Sequence, residues 1–336
     1  MVMEGFEPIL PFSSFNRMGF AEVALHMPFF LRAKSYFVEQ LRRTPPDVLV
    51  CVDYPGFNMV LLKEAHKLKI PVVWYIAPMV WAWKKKRAKV LSNLASHIAV
   101  IFPFEVPCFN RYTSAVTFVG NPTLEKLKSE GLLQSHPRKA PSKDKPLRLA
   151  LLPGSRIQEI KKMLRPMLDA ANIVKESYPN LEITVSRFNG FNSSIFKTSK
   201  FKGSIRVFPG PLRELLNDSD LALVTSGTAS LETSLLGVPH VIAYRTSAIN
   251  YAIFKKLVKI PHIGLPNIIA GKRLIPECIQ SQASPEKMAS ELKKMIENRQ
   301  HYEDTAKKLF DLRTILDKSN PSTALAQTID TFRKNR

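Results

Sequence analysis

From Asp47 onward the chain alternates short apolar or β-branched runs with stretches whose apolar residues recur at helical spacing. DVLVCVD (47–53), VVWYIA (72–77), HIAVIF (97–102) and AVTFVG (115–120) have the length and continuous apolar character of buried strands. Between the first two, Phe57, Leu61, Leu62, Ala65 and Leu68 fall on one helical stripe. Strands alternating with helices predict a parallel sheet covered on both faces. Over 132–146, which contains QSHPRKAPSKDKP, the apolar period stops, and Pro, Lys and Ser predict a link or surface crossing.

The pattern restarts at RLALLPGS (148–155), a buried strand running into a Pro-Gly turn. Ile160, Met163, Leu164, Met167, Leu168, Ala171 and Val174 then mark a helix of about six turns. LEITVS (181–186), SIRVFPG (204–210), DLALVTSG (220–227) and PHVIAYR (239–245) predict further strands, with short helices over 211–217 and 229–236. The end, 285–336, is helical and amphipathic. The fold expected is α/β, with two Rossmann-like domains whose parallel sheets face a cleft. Their expected bounds are 1–131 for the first, 132–146 for the link, 147–320 for the second and 321–336 for a terminal helix.

Composition narrows the class. A length of 336 suits two domains at ~100–200 residues each. With 45% hydrophobic and 23% charged residues, the chain is neither disordered, collagen-like nor coiled-coil. Cys51, Cys108 and Cys278 are far apart and never in a CxxC pair, so no disulfide framework or structural zinc is expected, and a reducing, cytoplasmic setting fits. No apolar run reaches the ~18–20 residues of a membrane span, and the start lacks a signal-peptide pattern. The chain is therefore expected to be soluble or peripheral. The net charge of +21 calls for a polyanionic partner: nucleic acid, an anionic membrane face or a phosphorylated small molecule. The histidines show no metal-ligand spacing, so no metal and no cofactor are expected.

Two strand-to-helix junctions carry candidate chemistry. In LLPGSRIQEI (151–160), Gly154 turns the chain, Ser155 can cap the helix and Arg156 stands where a guanidinium grips phosphate. An ordinary turn with a surface Arg is the alternative. In VTSGTASLE (224–232), Ser226, Gly227 and Thr228 offer hydroxyls and N–H groups at a strand's carboxyl edge, and Glu232 one turn on can accept from ribose hydroxyls. With no GxGxxG and no GxxxxGK[ST], the pair favours a nucleotide-sugar diphosphate over NAD or a P-loop nucleotide. In CVDYPGFN (51–58), Asp53 ends a strand and Asn58 opens a helix; Asp53 is either a cap or a general base. A diphosphate leaves as a stabilised anion, so one base suffices, in contrast to the paired carboxylates of glycosidases. WYIAPMVWAWKKKR (74–87) holds all three tryptophans and reads as an interfacial device or as core packing, while FAEVALHMPFFL (20–31) is the better acyl-chain or membrane candidate.

Together these residues resemble the lipid-A-disaccharide synthase family, two-domain glycosyltransferases of the GT-B fold. The blocks that carry the likeness, in the family's order, are MGFAEV (18–23), DYPGFN (53–58), APMVWAWKKKR (77–87), FPFE (102–105), FVGNP (118–122), LLPGSRIQEI (151–160), SGTASLE (226–232), YR (244–245) and LPNIIAGKRLIPECIQ (265–280). The resemblance implies transfer of diacylglucosamine from UDP-diacylglucosamine to the 6-hydroxyl of diacylglucosamine 1-phosphate, with inversion. It makes Asp53 the base, with Gly154, Ser155, Arg156, Ser226, Gly227, Thr228 and Glu232 at the UDP-sugar. Asn267, Glu277 and Gln280 would close that site. Met18, Phe20, Phe29, Phe30, Asn58 and Trp81 would lie on the acceptor or membrane side. It further implies no metal, an anionic membrane surface at the cytoplasmic face of the inner membrane, and a homodimer through exchanged C-terminal helices. The family's opening strand, Ser-Gly-Asp loop and helix find no match here, so the first domain is expected to be incomplete at its start by roughly 30 residues. A UDP-N-acetylglucosamine 2-epimerase or a peptidoglycan glycosyltransferase would share the fold, but MGFAEV and the Trp-rich block argue against both. An inactive truncated paralogue is the other alternative. Nucleic-acid motifs are absent and the lysines are scattered, so no nucleic acid is expected.

Overall fold

The computed structural model describes residues 5, 9–10, 27–187, 205–257, 260–318 and 320–334. Helix α1 (Met27–Arg43) leads to β1 (Leu49–Val52), α2 (Pro55–Lys67), β2 (Val72–Tyr75), α3 (Lys86–Leu94) and β3 (His97–Val100). A single 3-10 turn, Pro103–Glu105, then precedes α4 (Val106–Phe109), β4 (Val116–Phe118) and α5 (Pro122–Ser129). The four strands pair in sequence order, all parallel. Each predicted run is a strand, but the first two end early for a backbone reason: Asp53 takes φ 44° and Ile76 φ 58°, which breaks the extended conformation. Leu61, Leu62 and Ala65 of α2 are buried, in the stripe the spacing marked, and Val72, Val73 and Trp74 of β2 are 0% exposed.

The second sheet is built from β5 (Arg148–Leu152), α6 (Ile157–Ser177), β6 (Glu182–Ser186), β7 (Arg206–Phe208), α7 (Leu212–Asn217), β8 (Leu221–Thr225), α8 (Thr228–Leu235) and β9 (His240–Tyr244). Then come α9 (Ala248–Leu257), α10 (Leu265–Ala270), β10 (Glu277–Ile279), α11 (Pro285–Glu297), α12 (Arg299–Leu316) and α13 (Pro321–Lys334). The strand order is β10-β9-β8-β5-β6-β7, all parallel. Counted from β5, this is the order of a doubly wound nucleotide-binding sheet, whose direction reverses between β5 and β8. In such sheets ligands bind at the carboxyl ends of the strands flanking the reversal, and both candidate anion junctions begin there. The apolar stripe of α6, from Ile160 to Val174, is buried against the sheet and α11.

The two sheets meet through specific side chains. Phe102, Leu124 and Leu127 share a core with Leu215, Leu231 and Leu235, and α5 packs against α8. The segment 132–146 contains no helix or strand and is strapped to the second sheet's helices. Arg138 donates to the carbonyls of Leu216, Asn217, Ser219 and Leu236 at 2.9–3.3 Å, serving the free C-terminal carbonyls of α7 and α8. Helix α13 crosses back to the first sheet: Ser322 bonds Glu125 of α5, and the Phe332 ring lies 6.3 Å from that of His97. Gly120, at φ 102°, makes room for this return, since a Cβ there would meet the Pro321 ring at 2.5 Å. Among the described residues no helix is long and apolar enough to cross a membrane.

At the start of β9, His240 is fully buried. Its Nδ1–H donates to the Val238 carbonyl at 2.8 Å, and Nε2 has no partner among the described residues. Burial keeps the imidazole neutral and holds its pKa down at about 4. The unfolded chain binds this proton near pH ~6.5, so stability is full above that pH and falls by roughly 3 kcal/mol as pH drops toward the folded value. Urea denaturation of His240→Leu across this range should show a correspondingly flatter acid limb than the parent. Parallel curves would exclude His240 as the source.

Candidate functional site

At the carboxyl edge of the first sheet, Asp53 and Tyr54 both take left-handed φ, 44° and 45°. The turn is held by Asn58, whose Nδ2 donates to the carbonyls of Val52 at 3.1 Å and Asp53 at 2.8 Å. Helix α2 starts with Pro55 after a Tyr54 cap that makes no side-chain cap bond, so the carboxylate of Asp53 does not serve as the helix cap. Asp53 stands exposed at the rim. Even so, partial desolvation raises its pKa above the ordinary aspartate range, opposed by a bond from the Tyr54 N–H. Ile76 (58°) and Gln280 (54°) also carry positive φ just beyond strand ends, as does Lys84 (51°) before α3. Backbone strain of this kind costs about 1–3 kcal/mol per residue and collects at functional edges.

The tryptophans divide by depth. Trp74 is wholly buried in β2, and Trp83 lies half-buried beneath Lys84 Nζ, 4.4 Å from its centroid, and the Arg87 guanidinium at 5.7 Å. Trp81 is half-buried and donates its Nε1–H to Glu105 Oε1 at 3.3 Å. The cluster is thus packed rather than displayed as a row of exposed rings. Met18 and Phe20 lie outside the described residues; Phe29 and Phe30 are half-buried on α1, edge to face at 5.6 Å.

In the second sheet the two junctions differ in a way their sequences hide. After β5, Gly154 turns at φ 117°, and the Glu159 carboxylate folds back over the start of α6. Its Oε2 accepts from the N–H groups of Ser155 at 3.2 Å and Arg156 at 3.3 Å, while Oε1 accepts from Arg156 NH1 at 2.9 Å. A Cβ at position 154 would fall 2.6 Å from that carboxylate. The Ser155 and Arg156 N–H groups are thus taken by Glu159, and the Arg156 guanidinium, paired with the same carboxylate, stays largely exposed. After β8 the opposite holds: Gly227 and Thr228 are exposed, and α8 begins with no side-chain cap and no acid in its first turn. Its free N–H groups and positive dipole end stay open to an anion. Ser226 donates its hydroxyl to the Ile263 carbonyl at 3.1 Å. Glu232 is half-buried; desolvation raises its pKa, against the lowering effect of Arg213 and Lys126.

The loop reached by Ser226 is organised by Glu277 and Asn267. Glu277 accepts from the N–H groups of Ile263 at 3.1 Å and Gly264 at 3.0 Å, and from Asn267 Nδ2 at 2.7 Å. Asn267, 0% exposed, also donates to the Ile275 carbonyl and accepts from the N–H groups of Leu274 and Ile275. That exhausts its hydrogen-bonding capacity, so Asn267 shapes the loop and has nothing left for a ligand. Gln280 Oε1 accepts from the Thr246 N–H at 2.9 Å. Sequence reasoning did not find Glu159 or Glu105, which act through side-chain reach across a turn; the only signal was their place inside the LLPGSRIQEI and FPFE blocks.

The family model described as lipid-A-disaccharide synthetase matches residues 1–329. The lipid-A-disaccharide synthase of Syntrophus aciditrophicus is 36% identical over 278 residues, 82% of this chain and 73% of that protein. That of Geobacter metallireducens is 31% identical over 96% of this chain and 84% of its own length. Among solved structures, UDP-GlcNAc 2-epimerase from Neisseria meningitidis bound to UDP-GlcNAc superposes with a TM-score of 0.59 at 14% identity, covering 96% of this chain and 84% of that one. MurG of Acinetobacter baumannii gives 0.54 at 17% identity over 90% and 79%. At such identities the structures establish the fold alone, the GT-B arrangement of two parallel-sheet halves.

Proposed function

The chain belongs to the lipid-A-disaccharide synthetase family, the glycosyltransferases of lipid A synthesis, and from that membership we propose the following reaction. Diacylglucosamine passes from its UDP conjugate to the 6-hydroxyl of diacylglucosamine 1-phosphate, giving a β-1,6 disaccharide and UDP. The observation that carries this reading is one rim carboxylate, Asp53, on the first sheet, with an open helix N-terminus and the largely exposed, Glu159-paired guanidinium of Arg156 at the switch point of the second.

The acceptor hydroxyl gives its proton to Asp53 while its oxygen bonds the donor's anomeric carbon, and the bond from that carbon to the diphosphate oxygen breaks. A single displacement inverts the centre. The N–H groups after Ser226 and the Arg156 guanidinium hold the charge that gathers on the departing diphosphate, and Glu232 accepts from the ribose hydroxyls. Asn267, Glu277 and Gln280 keep the loop beside the nucleotide in place. The acyl chains and the anionic membrane at the cytoplasmic face of the inner membrane meet the side carrying α1, where Met27, Leu31 and Tyr36 are exposed beside Arg32 and Lys34.

Calorimetric titration tests the donor side: UDP should bind saturably and ADP at least tenfold more weakly. Equal affinity for the two, or none for UDP, would remove the nucleotide assignment.

A further inference from the structure

The carboxyl edge that carries Asp53 holds a second acid that the mechanism above leaves unused. Glu105, in the turn after β3, is 2% exposed, and no cation pairs with it among the described residues. Its Oε1 accepts from the Trp81 indole N–H at 3.3 Å and its Oε2 from the Phe102 backbone N–H at 3.2 Å, and the Ile101 backbone also bonds the carboxyl. The Trp81 ring stands edge-on to Phe104 at 5.4 Å, Phe104 stacks on Phe102 at 5.3 Å and 11°, and Phe102 is rooted in the core shared with the second sheet. Trp81 is therefore held by a hydrogen bond at its nitrogen and by its edge-to-face contact with Phe104. Half-buried, Trp81 lies in the loop after β2, at the same carboxyl edge of the parallel sheet as Asp53. A carboxyl group buried without a cation is expensive: burial, with a smaller contribution from the nearby Asp53 charge, pushes it up to about 8 against the lowering effect of the N–H groups it accepts.

We propose that Glu105 is a positioning residue for the acceptor: it locks the Trp81 indole as a flat wall on which the acceptor glucosamine ring rests with its hydroxyl toward Asp53. The proposal rests on the glycosyl-transfer reading, so the parent protein is assayed first; a parent that neither binds UDP nor forms disaccharide ends that reading, and this one with it.

With an active parent, acceptor KM, kcat and UDP affinity are measured for Glu105→Ala, Glu105→Gln, Trp81→Phe and the double variant Glu105→Ala/Trp81→Phe. Glu105→Ala should raise acceptor KM about tenfold with UDP affinity within twofold of the parent. Glu105→Gln keeps the shape but has one acceptor oxygen and an NH2 that only donates, so it can serve only one of these two N–H groups, and its KM should lie between those of the parent and Glu105→Ala. Trp81→Phe should raise KM by itself, and the double variant should be no worse than the poorer single one, because the two side chains act as a unit. An unchanged acceptor KM in Glu105→Ala and Trp81→Phe would overturn the proposal. So would a parallel loss of UDP affinity, or fully additive effects. If Glu105→Ala does not fold, Trp81→Phe and Glu105→Gln decide the matter by the same criteria.

Discussion

Asp53→Asn should bind UDP within about twofold of the parent and lose roughly 10²–10⁴-fold in kcat, the range a positioned general base supplies. The substitution is nearly isosteric, and the turn it sits in is held by bonds that Asn leaves intact: Asn58 to the carbonyls of Val52 and Asp53, and the Asp53 N–H to the Tyr75 carbonyl at 2.9 Å. The loss should therefore fall on proton transfer alone. Desolvation has lifted the Asp53 carboxyl above the ordinary aspartate range, so it binds the acceptor's proton more strongly than a free aspartate would. The acid limb of kcat/KM should accordingly lie above the pKa of an unperturbed aspartate, with activity rising as pH passes through it, and Asp53→Asn should lack that limb. Normal turnover in the variant would remove Asp53 as the base, leaving the first sheet's edge without one.

The second large effect is expected from Arg156→Ala, a weakening of UDP binding by about 10–100-fold, the measure of a charge-assisted hydrogen bond of ~1.5–3 kcal/mol. Two changes act in the same direction. The guanidinium is lost, and Glu159, which now shares its charge with Arg156 NH1, is left as an unbalanced carboxylate at the junction after β5. Arg156→Lys should fall between, because an ammonium keeps the charge but loses the planar fork. Adding Glu159→Gln to Arg156→Ala should recover part of the affinity, since Gln still caps the Ser155 and Arg156 N–H groups without the charge. Unchanged UDP affinity in Arg156→Ala would leave the diphosphate to the α8 N-terminus alone.

The second sheet was legible almost strand for strand, because a parallel strand buried on both faces must be largely apolar, and Leu149–Leu152, Leu221–Val224 and Val241–Tyr244 are. Strand β10 was not, since Glu277–Ile279 is three residues long and opens with a carboxylate whose role is to bind the loop N–H groups. The ends of β1 and β2 were overrun because a positive φ at Asp53 and Ile76 has no signature in residue type, Ile being the last residue to suggest one.

The two anion-ready junctions were visible as Gly-containing turns before helices. Their division of labour was not, because it depends on Glu159 folding back by one turn. Asn267 drew attention as a polar residue in a distinctive block; it is a fully spent internal brace. Glu105 stayed hidden because a single Glu among phenylalanines does not reveal that it faces inward.

The measurement that bears most directly on glycosyl transfer is product analysis of the purified chain given UDP-2,3-diacylglucosamine and 2,3-diacylglucosamine 1-phosphate, read by mass spectrometry and by the anomeric proton coupling of the new linkage. The account predicts one UDP released for each β-1,6-linked disaccharide 1-phosphate formed. Absence of the disaccharide, together with C2 inversion of UDP-N-acetylglucosamine by the same preparation, would contradict it and place the chemistry with the epimerases that share the fold.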